Sequence, residues 1–460
     1  MLCSFLAPVQ GVGRLGSVSV RGIEHVRQKP DFCGEACLEM MLTHLGVNVD
    51  QNDVFNSSGL DPALGRGCAT RELVQACQNL GIDPGPTWFS VKAGRADTEL
   101  DAHFRKMHAD LQAGSPSVVC MRYDKSPNSS EHFRLVVGYD SQTDQVLYLE
   151  PAETHSGYRR MDRSDFLRLW PLKYRSDVWT VIRLRMKPEH LIRPSKISGF
   201  SDADYAQHVR QLRQKLPGRG FTIVIEKPFI VVGDEAPEVV YSRAKSTVGW
   251  AVEKLKAAYF SKDPKEILDV WLFRDESSYT SNTRKLFGES PSTPYGYYSS
   301  KHKALVMNIA TGGGTLVHEI VHPFMEANFP GCPDWFNEGL ASLYEQSQER
   351  NGEICGSTNW RLAGLQRAIQ GNRLQDFRRL TSRDFYSDDD GSNYAMARYL
   401  CYYLQETGKL RAFYQAFRQS VHEDPTGYST LAKILGSDDM AAFQADWQKY
   451  VLELHFPGPE

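Results

Sequence analysis

No stretch of the sequence approaches the roughly 18 consecutive apolar residues that a membrane-crossing helix requires, which argues against a helical span. Charge of one sign is missing too. The 53 basic and 56 acidic residues are interspersed to a net charge of −3, leaving no broad basic footprint for nucleic acid and no acidic tail. No internal repeat is visible. The glycine-rich stretch Gly59–Gly67 lacks the lysine followed by serine or threonine that a phosphate loop needs, so it reads as a turn. Met1–Val9 is apolar but has no basic leader and no cleavage site. The chain therefore reads as soluble, either cytoplasmic or exported with an incomplete signal. Nine cysteines, an odd number, argue against a disulfide-built scaffold and read mostly as buried thiols, with Cys332 and Cys355 able to pair only in an oxidising compartment.

What the chain does have is length and two clusters of reactive residues. At 460 residues it can bury two or three cores. Two are expected, separated at the polar, proline-bearing stretch Lys187–Ser201. The resulting division is an N-terminal tail at 1–20, a first domain at 21–187, a linker with a connecting helix at 188–216, and a second domain at 217–460.

In the first domain Asp31 is the expected N-cap of a helix whose apolar face is Leu38, Met41, Leu42 and Leu45 and whose end is Gly46. Cys33 then lies in the first turn, where unpaired N–H groups and the helix dipole favour thiolate over thiol. Glu131–Tyr139 and Gln145–Pro151 read as a hairpin. If Tyr139 faces Gln145, Arg134 faces Glu150, and His132 becomes a diagonal neighbour of that carboxylate. Cysteine, histidine and an orienting acid make a nucleophile, a base and its support.

In the second domain, Phe221–Glu226 and Pro228–Gly233 read as a hairpin, Val240–Phe260 as a long amphipathic helix and Glu266–Arg274 as a strand. Tyr295–Ile309 follows as two strands around Ser300–Lys303, a sheet edge to which a peptide backbone could add. Next comes Thr315-Leu-Val-His318-Glu319-Ile-Val-His322. Four residues of separation put His318 and His322 on one helix face about 6 Å apart, able to hold one metal ion, with Glu319 placed to take a proton from water. Thr315 is the expected N-cap, and Pro323 is expected to end or kink the helix. Catalytic zinc usually has three protein ligands plus water. Glu338, in a helix begun by Pro333, is the expected third, with Glu326, Asp334 and Glu345 as competitors and a supporting role open to Asp334 or Glu345. Trp360–Phe456 reads as mainly helical.

Two family resemblances sit on these residues. Gln28, five before Cys33, with Cys33-Gly34 opening a helix, a histidine strand and the acid-proline pair Glu150-Pro151, resembles the C39-like branch of the papain-like cysteine peptidases. The resemblance implies that Gln28 helps form an oxyanion hole, Cys33 attacks, His132 is base then acid, and Glu150 orients it. The chain departs from that family in carrying glutamate where aspartate is usual. His318-Glu319-x-x-His322 followed by Trp335-Phe336-Asn337-Glu338-Gly339-Leu340-Ala341 resembles the gluzincin metallopeptidases, in particular the bacterial peptidase MA-like domains. That implies Zn2+ held by His318, His322 and Glu338, with Glu319 as general base. MA-like domains often carry an Asn-Tyr-Ala helix, so Tyr394 stands as a transition-state donor or as a core tyrosine.

The expected fold is α+β: a papain-like C39-type domain, then a zincin-like domain with a small mixed sheet and a mainly helical C-terminal part. The expected function is two-site hydrolysis of a peptide or protein substrate. The first domain has two alternatives, an acyl- or amidotransferase and a non-catalytic peptide-binding module.

Overall fold

The computed structural model describes residues 15–457 except 156, 197, 292, 383–384 and 388–390; the apolar start at Met1–Val9 lies outside them. Among the described residues no helix is long and apolar enough to cross a membrane. The chain divides into two compact units, between Gln211 and Leu212.

The first unit is built on a seven-stranded antiparallel sheet. Its order is Trp88–Lys92, Val178–Arg185, Ser117–Arg122, Glu131–Asp140, Gln145–Leu149 and Arg159–Asp162, and Val18–Ser19 pairs additionally with Glu131–Asp140. Strand alternation feeds two cores. Val118, Cys120, Phe133 and Leu135 pack beneath the helix Cys33–His44, while Val119, Met121 and Val136 pack beneath Ala96–Gln112. Val18 and Ser19, expected in the tail, reach the sheet because Gly138 has no side chain; a Cβ there would lie 2.7 Å from the Val18 carbonyl oxygen. The helix Asp202–Lys215, expected as a connector, is packed at its start. Ala203 and Ala206 enter the first core, and a Cβ on Gly65 would come 2.8 Å from Val209 Cγ1.

The second unit has a five-stranded mixed sheet ordered Thr222–Glu226, Phe229–Gly233, Leu268–Phe273, Ala304–Asn308 and Gly296–Ser299. The two outer pairings are antiparallel and the two inner ones parallel. The expected long helix is present as Pro237–Arg243 and Trp250–Ala258 joined through a π-helical segment, Ala244–Gly249.

The motif helix Gly314–Asn328 differs from expectation at both ends. It is capped by Gly313 instead of Thr315, and it runs past Pro323. Proline removes one backbone donor and costs about 3 kcal/mol in a helix interior. Phe324, Met325, Ala327 and Asn328 are all buried beyond it, and packing keeps that turn helical. The helix Asp334–Leu343 crosses Ser392–Glu406 closely at Gly339, where a Cβ would sit 3.0 Å from the Ala397 carbonyl oxygen. Its C-terminal carbonyls are held by the buried Arg398, whose Nε donates to Ser342 O at 2.9 Å.

Candidate active sites

Cys33 is the first residue of its helix, as expected, but Asp31 is not the cap. Asp31 has a left-handed φ of +69°, and its carboxylate accepts from Gly67 N at 3.2 Å and pairs with Arg210 at 3.3 Å. Gly67 has to be glycine, because a Cβ would lie 1.9 Å from the Asp31 carbonyl oxygen. The glycine-rich turn thus lies against the entry to the Cys33 helix, and the fully buried Glu35 carboxylate ties it down by accepting from Cys68 N at 2.7 Å.

Burial works against the thiolate that the helix dipole is expected to favour. Although Cys33 keeps some exposed surface, the protein packed around it pushes the thiol up to about 12, aided by the charges of Glu35 and Asp31 and opposed by a hydrogen bond from the Phe133 backbone. Burial outweighs the dipole here. Cys33 packs against the core that contains Phe133, the chain neighbour of His132.

His132 and Glu150 are brought together. His132 Nε2 lies 2.5 Å from Glu150 Oε1, and both side chains are buried. The expected pairing of Tyr139 with Gln145 is off by one, since Tyr139 pairs with Val146. A bulge between Val136 and Gly138 restores the register, so that Leu135 pairs with Leu149 beside the site. Glu150 Oε1 also accepts from Ala152 N at 3.1 Å, and Arg134 Nε donates to Glu150 Oε2 at 2.6 Å. Burial alone would raise the Glu150 carboxyl; His132 and Arg134 outweigh it and hold it below the ordinary range. With Nε2 engaged, Nδ1 is the ring nitrogen left to meet a thiol. Gln28 N donates to Pro151 O at 2.8 Å, and its buried Oε1 has no hydrogen-bond partner among the described residues.

In the second unit His318, His322 and Glu338 converge, each offering a ligand atom within 4.8 Å of the others. Glu338 Oε2 lies 3.2 Å from His318 Nε2 and 3.9 Å from His322 Nε2, yet among the described residues it accepts no hydrogen bond. Both Nδ1 atoms have another polar side chain beside them, although His318 Nδ1 makes no hydrogen bond among the described residues. His322 Nδ1 is 3.1 Å from Asn337 Oδ1, and His318 Nδ1 is 3.3 Å from Glu345 Oε1. Two Nε2 atoms and one orphaned carboxylate oxygen facing a common point, each ring oriented from behind, fit the donor set of a zinc site. Of the competing ligands, Glu326 and Asp334 are exposed and outside this group. Glu345, expected on the same helix face as Glu338, lies past that helix's end and backs His318 instead.

Desolvation would lower the His318 imidazolium, but Glu338 and Glu345 outweigh it and hold it up to about 10. Burial and the His318 charge take His322 down to about 4, and burial raises Glu319 to about 7. Burial opposes ionisation of Glu345, yet His318 and Arg361 bring it down to about 2. Two clefts share His318, Glu319 and Tyr394 in their walls. The first, about 950 Å³, is bounded by Trp250, Tyr295 and Trp360; the second, about 670 Å³, by Tyr297, Tyr298 and Met325. Tyr394 is partly buried against the core and under the Arg361 guanidinium, whose centre is 5.4 Å from its ring, so it is both packed and on the cleft wall.

Four contributors were given no role from the sequence. Arg134 was legible as the residue facing Glu150, and Asn337 adjoins Glu338. Arg361, bidentate on Glu345, and Tyr386, whose hydroxyl donates to Glu338 Oε1 at 2.9 Å, carry no local signal.

Comparison with curated proteins gives no match. Among solved structures, the chain is similar to the peptidase domain of Streptococcus ComA, a bi-functional ABC transporter involved in a quorum-sensing pathway, at 20% identity and TM-score 0.25 over 36% of this chain and 99% of that one. It is also similar to a double glycine motif protease from an AMS/PCAT transporter in complex with the leader peptide, at 14% identity and TM-score 0.23 over 38% of this chain and 95% of that one. Residues 20–177, within the first unit, match the Peptidase_C39 like family.

Proposed function

We propose that the chain is a peptidase with two hydrolytic centres, a thiol site in the first unit and a zinc site of gluzincin type in the second. The family match over residues 20–177 supports peptidase chemistry in the N-terminal region. The convergence of His318, His322 and Glu338 is the observation that carries the zinc reading.

His318, His322 and Glu338 would hold a zinc ion, which when bound would supply Lewis acidity and a more acidic water. Glu319 takes the proton of the attacking water and returns it to the leaving amine. Asn337 and Glu345 keep the two imidazoles turned, and Tyr394 faces the clefts in which substrate lies. At the thiol site Cys33 attacks the acyl carbon as His132 takes its proton through Nδ1, and the same proton goes to the leaving amine. Glu150 steadies the imidazolium and Gln28 adds a donor for the oxyanion. Water then cleaves the thioester.

Metal analysis and a peptide-library digest of the wild type, Glu319→Gln and His322→Ala test the zinc reading. Expected are about one zinc per chain in the wild type, metal kept but zinc-dependent cleavage lost in Glu319→Gln, and metal lost in His322→Ala. A wild type free of metal that still cleaves through Cys33 would overturn it. One feature favours a second reading of the first unit as a peptide-binding module: burial pushes the Cys33 thiol up to about 12, away from the thiolate. Undiminished overall cleavage in Cys33→Ala, with no reaction of Cys33 toward a thiol-directed electrophile, would establish that reading.

A further inference from the structure

Glu150 has one more side-chain torsion to fix than an aspartate would have. The structure shows what fixes it. Oε1 is held by His132 and by Ala152 N, while among the described residues Oε2 is held only by Arg134 Nε at 2.6 Å. Arg134 is itself immobilised. Its Nη1 donates to Arg122 O at 3.2 Å and its Nη2 to Tyr123 O at 2.8 Å, and its guanidinium centre lies 5.2 Å from the Tyr123 ring and 5.5 Å from the Tyr148 ring. Tyr123 also meets the His132 ring edge-on, with centroids 5.0 Å apart. The guanidinium is therefore a buried fork aimed at one carboxylate oxygen, supported on the backbone of the neighbouring strand.

We propose that Arg134 is a positioning residue for the thiol site: its Nε–H, fixed between Tyr123 and Tyr148, locks Glu150 in the one rotamer that keeps Oε1 on His132 Nε2 and leaves Nδ1 for Cys33. This rests on the thiol-site reading above. A lysine cannot replace it, since an ammonium lacks the planar fork that reaches the carboxylate and the two carbonyls together.

The test follows alkylation of Cys33 by iodoacetamide from pH 5 to 10, by mass, in the full-length wild type, Arg134→Met, Arg134→Lys, Glu150→Gln and the double variant Glu150→Gln/Arg134→Met. Melting curves accompany each variant. Expected for Arg134→Met is a loss of roughly ten-fold or more in rate at neutral pH with a displaced pH profile. That loss should disappear in the Glu150→Gln background, because the arginine acts through the carboxylate. Arg134→Lys, which keeps the charge, should recover only part of the rate, and it serves as the test if Arg134→Met does not fold. A folded Arg134→Met or Arg134→Lys with the wild-type rate and profile overturns the proposal. An equal loss in the Glu150→Gln background overturns it as well. A wild type whose Cys33 labels no faster than a buried cysteine at every pH brings down the thiol-site reading and this proposal with it, whereas a reactive wild type beside an unaffected Arg134→Met brings down this proposal alone.

Discussion

Burial outweighs charge at Cys33 and Glu35, whereas charged neighbours outweigh burial at Glu150, His318 and Glu345. Cys33 sits at a helix N-terminus, yet its thiol is raised to about 12 because desolvation exceeds what the dipole returns. Glu35, two residues on and fully buried, is raised from 4.5 to about 7 by the same cause. Its neutral form is favoured by folding, so the associated stability is complete below about pH 4.5 and is lost as pH climbs through about 7. Glu35→Gln stays neutral throughout. Its stability relative to the wild type should therefore rise by on the order of 3 kcal/mol between those limits, measured by denaturant unfolding of the first unit at a series of pH values. A difference that does not vary with pH would show that Glu35 ionises as freely in the folded protein as in the unfolded one.

At the scale of elements, close approaches between helices hold the zinc-type donor set in register. The motif helix begins at Gly314, and a Cβ there would lie 2.1 Å from the Glu345 carbonyl oxygen. Glu345 in turn sits 3.3 Å from His318 Nδ1. Gly314→Ala should therefore push the Glu345 segment away and release the His318 ring, lowering zinc affinity on the order of ten-fold while the unit stays folded. Competition with a chromogenic chelator reads this directly, and an unchanged affinity would mean that Glu345 does not orient the ligand. Pro323 makes the complementary point about elements. A local rule predicts a break, and four buried residues downstream override it.

For the whole molecule, the division at Gln211/Leu212 assigns the two sets of reactive residues to separate compact units. Binding that is confined to the native state of one unit stabilises that unit by mass action, about 4 kcal/mol at a thousand-fold excess over the dissociation constant. Added zinc should therefore slow amide hydrogen exchange in Gly314–Asn328 and Asp334–Leu343 and raise the melting of the second unit. Protection confined to the first unit would place the metal elsewhere.

The sequence by itself determined the local half of each site. Helix periodicity put His318 and His322 on one face beside Glu319, and strand periodicity put His132 and Arg134 on one side opposite Glu150, because these relations depend only on repeat lengths of 3.6 and 2.0. Tertiary structure decided the rest. It chose Glu338 over Glu326 and Asp334 as the third converging group, moved Glu345 behind His318, and brought Tyr386 onto Glu338 from a turn with no recognisable pattern. It also inserted the bulge after Val136 that keeps Glu150 in register with His132, and it buried Cys33 enough to work against its ionisation. Which distant side chains meet, and how much water they lose on meeting, depends on how helices and sheets pack, and no local repeat carries that information.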